Sequence, residues 1–208
     1  MNRKYELSAL ANVPISPAAM ATLFPDIKAI NKKVAALECS GDIVRVKKGL
    51  YVVNPELTGR PVSTELIANH LYSPSYISMH TALRYYGLIP EAVYSIESMT
   101  TKHSRRFENP FGHFNYTQTS REAFSIGLTT ETVGPTTFVI ATPEKALCDL
   151  IAHSTDVCLR YKNETLQYLE HDIRFDMDYL PQLRKPIFEQ YLSVGKKARS
   201  IETLLKLL

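Results

Sequence analysis

The chain has 208 residues, 45% of them hydrophobic and 22% charged, with a net charge of +3. That size and balance suit a globular protein of one large or two small domains and exclude a disordered or fibrous one. No apolar run reaches bilayer length, Met1-Asn2-Arg3-Lys4-Tyr5-Glu6 lacks the apolar centre of a secretory signal, and Cys39, Cys148 and Cys158 show no paired spacing. A cytoplasmic protein with inert thiols and no membrane partner is expected.

The charge is unevenly placed. Up to Arg60 there are nine basic and five acidic residues, a net +4, so the remainder carries about −1. This is the footprint of a domain that meets nucleic acid, joined to one that need not.

In chain order, a short helix is expected at Tyr5–Leu10. Ser16-Pro17 opens a second over Ala18–Phe24, by the cap-then-proline rule. Asp26, after Pro25, is expected to cap a third. Its Ile27, Ile30, Val34 and Leu37 recur at helical spacing and form a buried stripe, and Gly41 supplies a left-handed stop. Lys28 and Lys32 fall opposite that stripe with Ala35, Ala36 and Cys39 beside them, and Asn31 and Lys33 lie on the flanks. A helix entering a major groove needs charge for phosphates and small residues for close approach. A solvated lysine face is the plainer alternative.

Ile43–Val46 and Leu50–Val53 are β-rich runs joined through Lys47-Lys48-Gly49, a hairpin signal with Arg45, Lys47 and Lys48 at or near its tip. Asn or Asp would serve the turn better than two lysines, so the charge points to another use. Three helices and a basic hairpin predict a winged helix-turn-helix over residues 1–58. Asn54–Pro61, with two prolines and a glycine, reads as a linker.

The second domain is expected over residues 62–208. Helices are predicted at Ser63–Tyr72 and from Tyr76 or Ser78 to Tyr86. Strands follow at Tyr94–Thr101, Gly112–Thr119, Ala123–Leu128 and Thr136–Ile140. Thr142-Pro143-Glu144 starts a helix running to about Ser154 that buries Ala146, Leu147, Leu150 and Ile151. The tail is helical, punctuated by Pro181 and Pro186, with Ser200 capping the last helix. The fold class is therefore α+β: a winged helix-turn-helix, then a mixed domain with a mainly antiparallel sheet and C-terminal helices. Lys102, His103, Arg105 and Arg106 form a second basic cluster, placed in a loop between strands. It is either a nucleic-acid grip, with Phe107 able to stack on a base, or a solvated hairpin tip.

Enzyme chemistry finds little support. His80, His103 and His113 lack the spacing of a helical zinc pair. His153 stands five residues after Cys148, the wrong offset for a nucleophile–base pair on one helix. Pro25-Asp26-Ile27-Lys28 has the letters of a nuclease motif, but Asp26 reads as a cap, and Glu97 with Lys102 lacks a second acid. No catalytic residue, metal or cofactor is assigned. A winged module that binds protein, and a nuclease-like second domain, are the alternatives.

Several segments together resemble a known family. They are Tyr72-Ser73-Pro74-Ser75-Tyr76-Ile77-Ser78, Ala82-Leu83, Gly87-Leu88-Ile89-Pro90-Glu91, Thr100-Thr101-Lys102, Ser104-Arg105-Arg106-Phe107 and Thr142-Pro143-Glu144-Lys145-Ala146-Leu147-Cys148-Asp149-Leu150. Their order and spacing are similar to the AbiEi-type antitoxins of type IV toxin–antitoxin systems, over Ile27 to Ile151. The resemblance implies a winged domain that represses its own operon at promoter repeats in double-stranded DNA. It also implies a second domain carrying antitoxin activity, and a nucleotidyltransferase-like toxin as functional partner without a stable complex.

Overall fold

A computed structural model describes Leu7, residues 13–90 and residues 94–208. The helix expected at Tyr5–Leu10 lies outside these, apart from Leu7, which is helical and buried in the N-terminal core. Glu91 of the resemblance also lies outside them.

The first described helix, α1 (Pro17–Leu23), starts as expected: Ser16 Oγ accepts the Ala19 N–H at 3.2 Å, and proline occupies the first turn. Helix α2 (Ile30–Cys39) begins later than expected. Its cap position is Ala29, with no side-chain bond, and Asp26 stands exposed in a turn where the Ile27 N–H bonds the Phe24 carbonyl at 3.0 Å. Folding Ile27 back onto the α1 side thus replaces the helical turn that its spacing suggested. The end of α2 is as expected. Gly41 sits at φ 75°, its N–H bonding Glu38 O at 3.1 Å, while the Asp42 N–H bonds Leu37 O at 2.9 Å. This is the paired closure of a left-handed helix stop.

Strands β1 (Ile43–Lys47) and β2 (Leu50–Val53) pair antiparallel, with Ile43 opposite Val53 and a bulge between Arg45 and Lys47. Ile15 bonds to Tyr51 along the free edge of β2. Ile43, Tyr51 and Val53 join Met20, Phe24, Val34 and Leu37 in one core. Val46, Leu50 and Val52 belong instead to a larger core with Ile67 and Leu71. All four residues of β2 are buried, so the hairpin is a wall between two cores. The linker holds a short helix, α3 (Pro55–Thr58), capped by Asn54.

The larger unit is mixed α+β. Its six-stranded sheet comprises β3 (Ser75–Ile77), β4 (Ser95–Thr100), β5 (Arg105–Asn109), β6 (Gly112–Gln118), β7 (Leu128–Val133) and β8 (Thr136–Ala141), in the order β5-β6-β4-β3-β8-β7. The β3–β8 and β4–β6 pairs are parallel and the other three antiparallel. Helix α4 (Thr64–Leu71) covers one face, where the Tyr116 hydroxyl donates to Ala68 O at 2.7 Å. Helices α5 (Met79–Tyr85) and α7 (Pro143–His153) lie on the other, where the Tyr76 hydroxyl donates to Asp149 at 2.9 Å. The rest of the chain adds α6 (Arg121–Phe124), α8 (Lys162–Gln167), α9 (Lys185–Leu192) and α10 (Ala198–Leu205).

Four local expectations change. Ser75–Ile77 is a central strand and the helix after it starts only at Met79, because a short buried run looks alike in either state until neighbouring strands claim it. The strand expected at Ala123–Leu128 is instead helix α6 and a turn: Ser120 caps the Ala123 N–H at 3.1 Å. Arg105 and Arg106 lie on edge strand β5 rather than in a loop, and β7 adds a second edge. Ser200 sits inside α10, its Oγ accepting the Leu159 N–H at 3.0 Å, so it ties two segments instead of capping one.

Candidate nucleic-acid interface

Helix α2 presents Asn31, Lys32, Ala35, Ala36 and Cys39 to solvent as one face, with Glu38 at its edge engaged by Arg45. The late start of the helix brings Asn31 and Lys32 into its first turn, at the positive end of the dipole. Lys28 is exposed just before that turn. Lys33 behaves differently: it is half-buried, with its ammonium 5.0 Å from the centre of the Phe24 ring.

The hairpin cations divide in the same way. Lys48 is exposed at the tip. Arg45 pairs with Glu38 of α2 at 2.6 Å and lies over Tyr51, which binds helix to hairpin. Lys47 turns toward the sheet and donates to the Leu71 carbonyl at the end of α4. Burial, and then the charges of Lys102 and Arg105, push its pKa below the ordinary lysine value. Two basic clusters more than fifty positions apart in sequence therefore meet. Like charges cluster at a cost in folding free energy, which an anionic partner would offset.

Aromatic rings support this joint. The rings of Tyr72, Phe107 and Tyr116 touch edge to face or tilted, with centroids 5.3–5.7 Å apart. Lys102 lies over Tyr72 at 5.1 Å and Arg105 over Phe107 at 4.8 Å, while the Tyr72 hydroxyl donates to His103 O at 3.3 Å. The predicted second cluster is split by the pleat of β5. Arg105 is level with buried Tyr116 on the α4 face, whereas Arg106 is level with Asn115 on the opposite face. His103 and Arg106 are both exposed and Arg106 has no ion pair among the described residues.

The most heavily bonded polar cluster was not legible as such in the sequence. Lys145 and Asp149 form an ion pair at 2.9 Å with both side chains fully buried. Asp149 accepts from Tyr76 at 2.9 Å and Ser78 at 2.8 Å, and Lys145 donates to Ala123 O at 2.8 Å. It has no opening to solvent and holds β3, α6 and α7 together. The sequence signal was only the i,i+4 spacing of the two charges. Among the described residues no three His, Cys, Asp or Glu side chains converge on a point that would hold a metal ion. No described helix is long and apolar enough to cross a membrane. No protein-family model matches the chain, and no curated protein is significantly similar to it.

Proposed function

We propose that the protein is a sequence-specific DNA-binding repressor of the AbiEi antitoxin type, with a winged helix-turn-helix formed by α1, α2 and the β1–β2 hairpin. One observation carries this reading: α2 exposes Asn31 and Lys32 on a small-sided outer face, and the chain runs from it directly into a hairpin with Lys48 exposed at its tip. In it, α2 enters the major groove with its N-terminal end leading. Asn31 reads an adenine edge, and Lys28, Lys32 and Lys48 hold phosphates. Because β2 is buried throughout and Arg45 of β1 is engaged by Glu38, the tip of the hairpin takes part as the wing. Arg45 and Lys33 serve mainly to hold α2 in place, and Lys47 joins Lys102 and Arg105 beside the duplex. The DNA is the repeat region of the protein's own promoter. Antitoxin action against a nucleotidyltransferase-like toxin belongs to the second domain and needs no stable complex.

Salt-dependent binding to the upstream DNA tests this. Lys32→Ala and Lys48→Ala are each expected to weaken binding to every sequence and to reduce the log–log salt slope by about one. Asn31→Ala is expected to cost about 1–3 kcal/mol at its own base pair only. Wild-type affinity and slope in both lysine variants would remove the reading.

A further inference from the structure

Arg106 does not belong to the cluster around Lys47. On the opposite face of the sheet, Arg106, Asn115 and Glu97 are level with one another across β5, β6 and β4. With Met79, Ser104 and Thr117, and with Arg105 and Tyr116 at its margin, they line a cleft of about 620 Å³. A second depression of about 370 Å³ shares Ser104 and Thr117 and continues to His153 and Lys196. The combined space falls in the range of small-molecule sites, about 300–1,000 Å³.

The charges along this groove are ordered. At one end Glu97 is held rigidly: its Oε2 accepts the His80 backbone N–H at 3.0 Å and lies 3.0 Å from Nδ1 of the same residue. Met79, which turns that amide toward Glu97, has a φ of 54°, a left-handed conformation that side chains rarely adopt. Strain of this kind persists where surrounding structure imposes it, and it concentrates at ligand sites. Level with Glu97, two strands away on β5, stands the guanidinium of Arg106, which has no ion pair among the described residues, and Ser104 and Thr117 lie between this row and the second depression. There Ser104 Oγ accepts the Gln118 N–H at 2.9 Å, which leaves its hydroxyl proton to donate. Exposed Lys196 closes the far end.

We propose that this groove binds a nucleoside phosphate, with preference for guanine. A phosphate is repelled by Glu97 and drawn to Arg106, with the Ser104 and Thr117 hydroxyls as further donors. The base then lies against Met79, whose thioether side chain suits an aromatic face. Its edge meets Glu97, and of the common bases only guanine offers two adjacent N–H donors to one carboxylate. The site shares only Arg105 with the residues proposed to face DNA and does not rest on that reading.

The test is calorimetric titration of the full chain with GMP, AMP and inorganic phosphate. GMP is expected to bind more tightly than AMP, and both more tightly than phosphate. Arg106→Ala is expected to weaken GMP by about tenfold or more, the worth of a hydrogen-bonded charge. Lys196→Ala, at an exposed site, should weaken all three phosphates. Glu97→Gln should leave AMP binding in place and remove the advantage of GMP. Absence of GMP binding at millimolar concentration, equal binding of GMP and phosphate, or wild-type GMP affinity in a folded Arg106→Ala protein would each overturn the proposal.

Discussion

Lys145 and Asp149 show how a single pair of residues organises the second domain. A buried ion pair is tolerated only when its remaining lone pairs and protons are satisfied. Here Asp149 takes three hydroxyl donors, from Tyr76, Ser78 and Tyr191, and the Lys145 ammonium, besides its two oxygen partners, lies 4.4 Å from the centre of the Tyr191 ring. Burial, and then the charge of Asp149, push the Tyr76 pKa far above that of an ordinary phenol, so Tyr76 remains a donor. Asp149→Ala leaves a buried cation without its partner and is expected to cost roughly 3–5 kcal/mol in urea unfolding. Replacing both residues with apolar ones of similar volume should cost less than that single change. If Asp149→Ala lost under about 1 kcal/mol, the network would not be what holds the site together. Sequence periodicity placed Ala146, Leu147, Leu150 and Ile151 inside, and all four are buried. It could not place Lys145 and Asp149 there, because a charged residue reads as surface until its partners, from β3 and α6, are known.

At the scale of elements, α7 is tied to the start of α9 through Glu144. Its Oε1 accepts from the Arg184 backbone N–H at 2.9 Å and from Nε at 3.0 Å, and its Oε2 accepts from Nη2 at 3.3 Å. Burial raises the Glu144 pKa, but the Arg184 hydrogen bonds outweigh it and hold the group below the ordinary carboxylate value. A depressed carboxylate pKa contributes stability above the unfolded pKa, and that contribution is lost as pH falls through the folded value. Arg184→Ala removes the guanidinium bonds but keeps the burial and the backbone N–H bond, so the folded pKa rises. Acid unfolding followed by circular dichroism should then begin at a higher pH than in the wild type; an unchanged acid midpoint would contradict the assignment. The Thr142-Pro143-Glu144 start was legible because capping and the helix dipole are local effects. The start of α2 was not, because the turn after α1 is decided by where Ile27 finds apolar contact.

For the whole molecule, the hairpin decides how the two halves behave. Val46, Leu50 and Val52 complete the core that contains Ile67 and Leu71, so the N-terminal residues are not a freely hinged appendage. The same packing brings Lys47 to Lys102 and Arg105, with mutual repulsion that salt screens. The melting temperature is therefore expected to rise as salt is increased from about 50 to about 300 mM, and to rise less in Lys102→Gln. A salt response identical in the two proteins would show that the cluster is not felt in the fold.

The sequence by itself determined the elements whose causes are local. Ser16-Pro17, Ser63 and Thr142-Pro143 start helices through cap bonds three residues ahead, Gly41 ends one through its backbone freedom, and the Lys47–Gly49 turn closes a hairpin. Tertiary structure decided what depends on distant partners. It made a strand of Ser75–Ile77 between β4 and β8, extended the basic cluster onto β5, and took Arg45 and Lys33 into packing contacts. It also set Arg105 and Arg106 on opposite faces of the sheet, one beside Lys47 and one level with Glu97. Two adjacent arginines carry the same charge in a sequence, but a pleated strand sends their side chains in opposite directions.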